Sequence, residues 1–171
     1  MLHYISIPVD NPLHVAKVVS EILHGDILQC REDPDIYTVL TNDKHTSAIE
    51  LIPSGIEVRP GQAKFEYKRN VNSPQFSPVH VAISVPISFS EIKQIGLREG
   101  WHVAMGNRGR FKLIEFWLEN KFLLELMLPS TVPQYVKSMS PQEFILLAVV
   151  MGALRKFKVI AHNLQKIRLG F

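Results

Sequence analysis

Apolar positions along this chain follow two periods, and the places where one gives way to the other predict its elements. Leu2–Val9 is a continuous apolar run ending at Asp10-Asn11-Pro12, as expected of a strand leading into a helix start. Asn11 can cap that helix, and Pro12 suits its first turn, where its missing N–H has no intrahelical partner. Val15, Val18, Val19, Ile22 and Leu23 then recur on one helical face, and Gly25 is expected to stop the helix. Ile27–Cys30, Ile36–Leu40 and Ala48–Ile52 are short strand candidates separated by turn-forming residues.

The same order then returns. Val79–Val85 reads as a strand, and Ser88 with Glu91 forms a capping-box pattern ahead of Phe89, Ile92 and Ile95. Gly100 ends that helix, and Trp101–Met105, Phe111–Leu118 and Phe122–Leu128 complete the copy. The pattern is a βαβββ unit used twice, over 1–55 and 79–129, with 56–78 as the connection. It predicts an α+β domain over 1–133 and a helical extension over 134–171. One short sheet with one helix buries too little apolar surface alone, so the two copies are expected to share a core.

Strand parity points to the residues that carry chemistry. His80, Ala82 and Ser84 share one face, while Val81, Ile83 and Val85 share the β-branched face suited to packing under a helix. By the same rule Glu50 lies opposite to Ile49 and Leu51, and Glu125 opposite to Leu124 and Leu126. A carboxylate in the middle of an apolar strand is costly to bury unless it is paired, hydrogen-bonded or bound to a metal. Here two occupy equivalent places in a duplicated unit.

The segments Leu2–Val9, Ala48–Ile52, His80–Val85 and Leu123–Met127 resemble the ligand-bearing strands of glyoxalase I, methylmalonyl-CoA epimerase and related vicinal-oxygen-chelate proteins. The resemblance covers residues 1–129 of this glyoxalase, bleomycin-resistance and dioxygenase-like superfamily. It implies a cupped sheet holding a divalent metal, with ligands from the first and last strands of each module. Carried over by position, Glu50, His80 and Glu125 match ligand places. The remaining place falls on Tyr4, and His3 stands one residue out of register, so that only a β-bulge near Pro8 would turn it into the cup. With His3, the set of imidazoles and carboxylates would suit Ni, Co, Zn, Mn or Fe. The implied chemistry is chelation of a substrate's neighbouring oxygens, with Glu50 or Glu125 moving a proton. Tyr4, Arg108, Arg110 and Trp117 are the substrate-binding candidates, the arginines as a clamp for a carboxylate or phosphate. The superfamily also contains metal-free binding proteins. In such a cup one His and two Glu would simply hydrogen-bond each other, Tyr4 or water, and Asn107–Arg110 would be a solvated turn.

Charge and cysteine content narrow the setting. Residues 1–133 hold 13 basic and 15 acidic side chains, whereas 134–171 hold six basic and one acidic. The basic balance therefore belongs to the tail, and the first part offers no nucleic-acid surface. A single cysteine, Cys30, excludes an intramolecular disulfide, and its expected state is an inert buried thiol. With no secretory pattern ahead of the first strand, a cytoplasmic location is expected. In the tail, Ser140, Pro141 and Glu143 mark a helix start. From Leu146 to Phe171 apolar residues alternate steps of four and three, a seam that calls for a partner. A homodimer is the expected partner, and a membrane surface the lesser alternative.

Three functions follow from these residues. The first is a vicinal-oxygen-chelate protein binding a small molecule, as a metal-dependent lyase, isomerase or dioxygenase. The second is a non-catalytic small-molecule binder with the same cup. The third is a dimeric scaffold acting through the C-terminal helix.

Overall fold

The computed structural model describes residues 3–42, 47–62, 65–143, 145 and 149–152. Contacts divide the chain into two compact units, Met1–Pro129 and Ser130–Phe171. The first opens with β1 (Tyr4–Val9), α1 (Pro12–Leu23), β2 (Asp26–Gln29), β3 (Tyr37–Leu40) and β4 (Ala48–Pro53). It continues with β5 (Ile56–Arg59), β6 (Glu66–Arg69), β7 (Val81–Ser84) and α2 (Phe89–Glu99). It closes with β8 (Val103–Asn107), β9 (Lys112–Leu118) and β10 (Phe122–Met127). The duplication is explicit in the topology: one sheet runs β1-β4-β3-β2 and the other β7-β10-β9-β8, each with a parallel outer strand beside an antiparallel meander.

The connection between the copies differs from the sequence expectation. Instead of an irregular linker it contains a hairpin, β5 paired with β6. Its side chains are mostly exposed, so no alternation of apolar and polar residues announces it.

Each sheet buries one face under its helix. Ile7, Val9, Val39, Ile49 and Leu51 meet Val15, Val18, Val19 and Ile22 of α1. Val81, Ile114, Phe116, Leu124 and Leu126 join Ile92 and Ile95 of α2 in the same continuous core. The helix starts are those the sequence indicates. Asn11 accepts a hydrogen bond from His14 N at 3.1 Å, and Ser88 and Glu91 make the full capping box. The end of α1 is different: His24, not Gly25, takes the left-handed conformation, with φ 50°. Gly25 is needed for a separate reason, because a Cβ there would lie 2.3 Å from the Leu40 carbonyl oxygen.

The copies are also fastened directly. The Glu119 carboxylate, in the β9–β10 turn, accepts hydrogen bonds from the backbone N–H groups of Asp10 and Asn11 at 2.5 and 2.8 Å. The Lys121 ammonium pairs with Asp10 beside them. His14 on α1 meets the Glu99 carboxylate at 2.6 Å and stands edge-on to Trp101, while Arg98 on α2 reaches Glu21.

In the second unit, α3 (Val132–Ser138) is a short helix that the sequence pattern does not mark. Residues 141–143 are helical behind Ser140, whose hydroxyl accepts from Glu143 N at 3.4 Å. Most of the apolar seam from Leu146 to Phe171, on which the dimer expectation rests, lies outside the described residues. Among the described residues no helix is long and apolar enough to cross a membrane.

Gly25 and His24 can be told apart by experiment. Gly25→Ala is expected to destabilise the protein by about 1–3 kcal/mol through overpacking. His24→Gly should leave stability unchanged or slightly raised, since a side chain in the left-handed region costs roughly 1–2 kcal/mol. Urea unfolding midpoints at constant slope measure both, and an undisturbed Gly25→Ala would disprove the close approach.

Candidate ligand-binding site

The faces turned away from the helices carry the polar residues. The register of β1 on β4 is unbroken, from Tyr4 opposite Ala48 to Val9 opposite Pro53. No bulge is present, so Tyr4, Ser6 and Pro8 occupy the open face while Ile5, Ile7 and Val9 are on the helix side. His3 precedes the strand and, with Tyr4, lines a groove between β1 and β7. The Ser6 hydroxyl donates to Glu50 at 2.5 Å, and Thr38 stands opposite Glu50 on the other neighbouring strand.

The second sheet repeats this frame with different chemistry. Glu125 has Ala82 on one side and Glu115 on the other, the places that Ser6 and Thr38 hold around Glu50. His80, two residues before Ala82, stands where Tyr4 stands before Ser6. It is exposed, with Nδ1 3.1 Å from the Pro78 carbonyl oxygen.

Two carboxylates on directly opposed strand positions repel unless a cation stands between them. Arg108 supplies it. Its Nη2 donates to Glu125 Oε1 at 2.5 Å and to Glu115 Oε1 at 2.9 Å. These bonds hold the guanidinium pKa above its ordinary value, Glu125 contributing most. The Glu125 side chain is only 13% exposed, so its charge is worth neutralising. Gly106 makes room: a Cβ there would lie 2.7 Å from Leu113 Cδ1, 3.0 Å from Glu115 Oε1 and 3.3 Å from Arg108 Nη1. Trp117 is half-buried on the same strand face as Glu115, opposite Leu123. Arg110 lies exposed in the turn beyond Gly109.

The β5–β6 hairpin adds a residue that sequence reasoning did not single out. Partial desolvation pushes the phenol pKa of the still largely exposed Tyr67 up, and the negative charge of Glu50 adds to the shift, with smaller contributions from Cys30, Tyr4 and Asp33. Cys30 itself is half-buried, not enclosed as expected. Between the outer strands β1 and β7 runs a groove of about 260 Å³, lined by Tyr4 and Ala48 on one side and Ala82 and Ser84 on the other.

The residues brought together are therefore Arg108, Glu115 and Glu125 in one sheet, and Ser6 and Glu50 in the other. Among the described residues no group of three or more His, Cys, Asp and Glu side chains is placed to hold a metal ion. Glu115 was legible in principle. The tight turn at Glu119-Asn120, both at positive φ, pairs strand positions symmetrically around it and sets residue 115 opposite 125.

This duplicated architecture is shared with solved structures. The chain is similar to the genomically encoded fosfomycin resistance protein FosX from Listeria monocytogenes, with TM-score 0.53 and 13% identity over 80% of this chain and 96% of that one. The same Listeria protein complexed with Mn(II) and sulfate gives 0.53 at 12% identity, over 82% and 97% of the two chains. FosX from Mesorhizobium loti gives 0.50 at 10% identity, over 80% and 96%. No protein-family model matches the sequence, and no curated protein matches it. The chain has the vicinal-oxygen-chelate fold, with two βαβββ modules in one α+β unit.

Two substitutions probe the site. Glu50→Gln should lower the Tyr67 phenol pKa without returning it to the ordinary value, because burial is the larger cause. Ultraviolet difference titration against Tyr67→Phe reads this shift, and no change would remove Glu50 from the neighbourhood of Tyr67. Gly106→Ala should displace the Leu113 side chain most, crowd Glu115 and Arg108 less, and cost about 1–3 kcal/mol in unfolding free energy, as overpacking does.

Proposed function

We propose that the protein binds a small polar molecule on the open faces of its vicinal-oxygen-chelate frame, without a metal in the second sheet. The observation that carries this reading is the Arg108 bridge between Glu115 and Glu125. A guanidinium bonded to both carboxylates offsets one of their two negative charges and engages one oxygen of each, which a bound cation would compete for. As they stand, these residues do not fit a divalent ion. They do fit a ligand with both donors and acceptors: carboxylate oxygens and a guanidinium lie side by side, near the flat ring of Trp117.

A second reading has its own support. His80 directly precedes β7, two residues before the Ala82 that pairs with Glu125, and imidazole with carboxylates is a sound donor set for Mn, Fe, Co, Ni or Zn. The Listeria FosX structure was solved as a complex with Mn(II). In this reading Arg108 swings away and the protein is a metal-dependent lyase, isomerase or dioxygenase, with Glu125 and His80 as ligands and Glu50 moving a proton.

Elemental analysis after equilibration with Mn(II), Ni(II), Co(II), Fe(II) and Zn(II) in turn, followed by gel filtration, separates the two. Under the first reading the wild type retains no stoichiometric metal. Arg108→Ala then gains metal uptake, and this is lost again when Glu125→Ala is added. Stoichiometric metal in the wild type, abolished by Glu125→Ala alone, would replace the first reading with the second.

A further inference from the structure

A further cleft in the first unit is lined by none of Glu50, Arg108, Glu115 and Glu125, and meets the open face of the first sheet at Pro8. It has a volume of about 820 Å³ and is walled by the end of β1, the β5–β6 hairpin with the segment after it, and the start of β10. Its charges are nearly all satisfied within the protein. Asp10 pairs with Lys121, and Glu57 is held by Asn70 and by Arg59 at 2.8 Å. Asn70 also fixes the following segment, since its Oδ1 accepts from Asn72 N at 3.0 Å and its backbone carbonyl from Ser73 N at 3.2 Å.

Two lining groups are left over. No hydrogen bond or ion pair among the described residues reaches the Arg69 guanidinium. The Ser73 hydroxyl is buried and finds no hydrogen-bond partner. An unpaired guanidinium and a buried unpaired hydroxyl at the wall of one cleft are complementary to an oxyanion, which accepts from both. A hydroxyl left without a partner is a standing cost that such a ligand removes. Gln75, Ser54 and Ser77 line the remaining wall and suit a hydroxylated or amide-bearing body.

We propose that this cleft is a binding site for a small organic oxyanion, a carboxylate or phosphate ester, gripped by Arg69 and Ser73. It is built from the connection between the modules and is separate from the Arg108 clamp. The two sites therefore stand or fall independently.

The test uses the full chain with inorganic phosphate and malonate as probes, followed by calorimetry and by backbone amide shifts. Saturable binding of at least one probe is expected, with shifts centred on residues 69–77. Whichever probe binds tighter identifies the head group as phosphate or carboxylate. Arg69→Gln should weaken binding about tenfold or more, the loss of one charge-assisted hydrogen bond. Ser73→Ala should weaken it several-fold while leaving the unliganded protein at least as stable as wild type. Arg108→Ala should leave it unchanged. Absence of saturable binding by either probe at millimolar concentration would overturn the proposal. So would full affinity in Arg69→Gln, or loss of binding in Arg108→Ala.

Discussion

The placing of this protein's polar side chains depends on the unbroken register of β1 with β4 and of β7 with β10. In each module a parallel pair and an antiparallel pair share the same central strand, β4 or β10. Residues 48–51 and 124–126 of these strands are therefore fixed against two neighbours at once. A slip of one residue would send Ile49, Leu51, Leu124 and Leu126 into solvent and the glutamates into the core. The apolar face under each helix thus holds the polar face in place, and the carboxylates can be kept where they would otherwise be expensive.

Within that common frame the two halves solve the same problem differently. Glu50 is placed between hydroxyl-bearing neighbours, Ser6 and Thr38, and accepts a hydrogen bond from the first. Glu125 is placed beside a second carboxylate and needs a full positive charge, which Arg108 brings from the end of β8. A neutral donor and a guanidinium are not equivalent partners. The first leaves a carboxylate net negative and available to influence a nearby phenol such as Tyr67. The second offsets one of two neighbouring negative charges, through a single guanidinium nitrogen that reaches both carboxylates.

Most of the frame was legible from the chain itself because both periods are strong where the core is dense. The copied order of elements, both helix starts and the opposition of Glu50 and Glu125 to their apolar neighbours are local properties. Tyr4 standing in the place of His80 was legible by counting back from Val9. What was not legible depends on contacts distant in sequence or on exposed strands. The β5–β6 hairpin has no buried face to impose alternation, so nothing in its residue pattern marks it. Arg108 reads as a solvated turn until the hairpin geometry brings Glu115 and Glu125 within its reach. Gly25 was read for its backbone freedom, whereas its neighbour His24 takes the unusual conformation and Gly25 supplies clearance for Leu40.

The Glu119 carboxylate makes a turn of one copy part of the helix start of the other. It accepts from the N–H groups of Asp10 and Asn11, two donors that the first turn of α1 leaves without intrahelical partners. The opening of α1 is therefore completed by a side chain more than a hundred residues further along, and that end of the helix can be finished only once the second copy is in place.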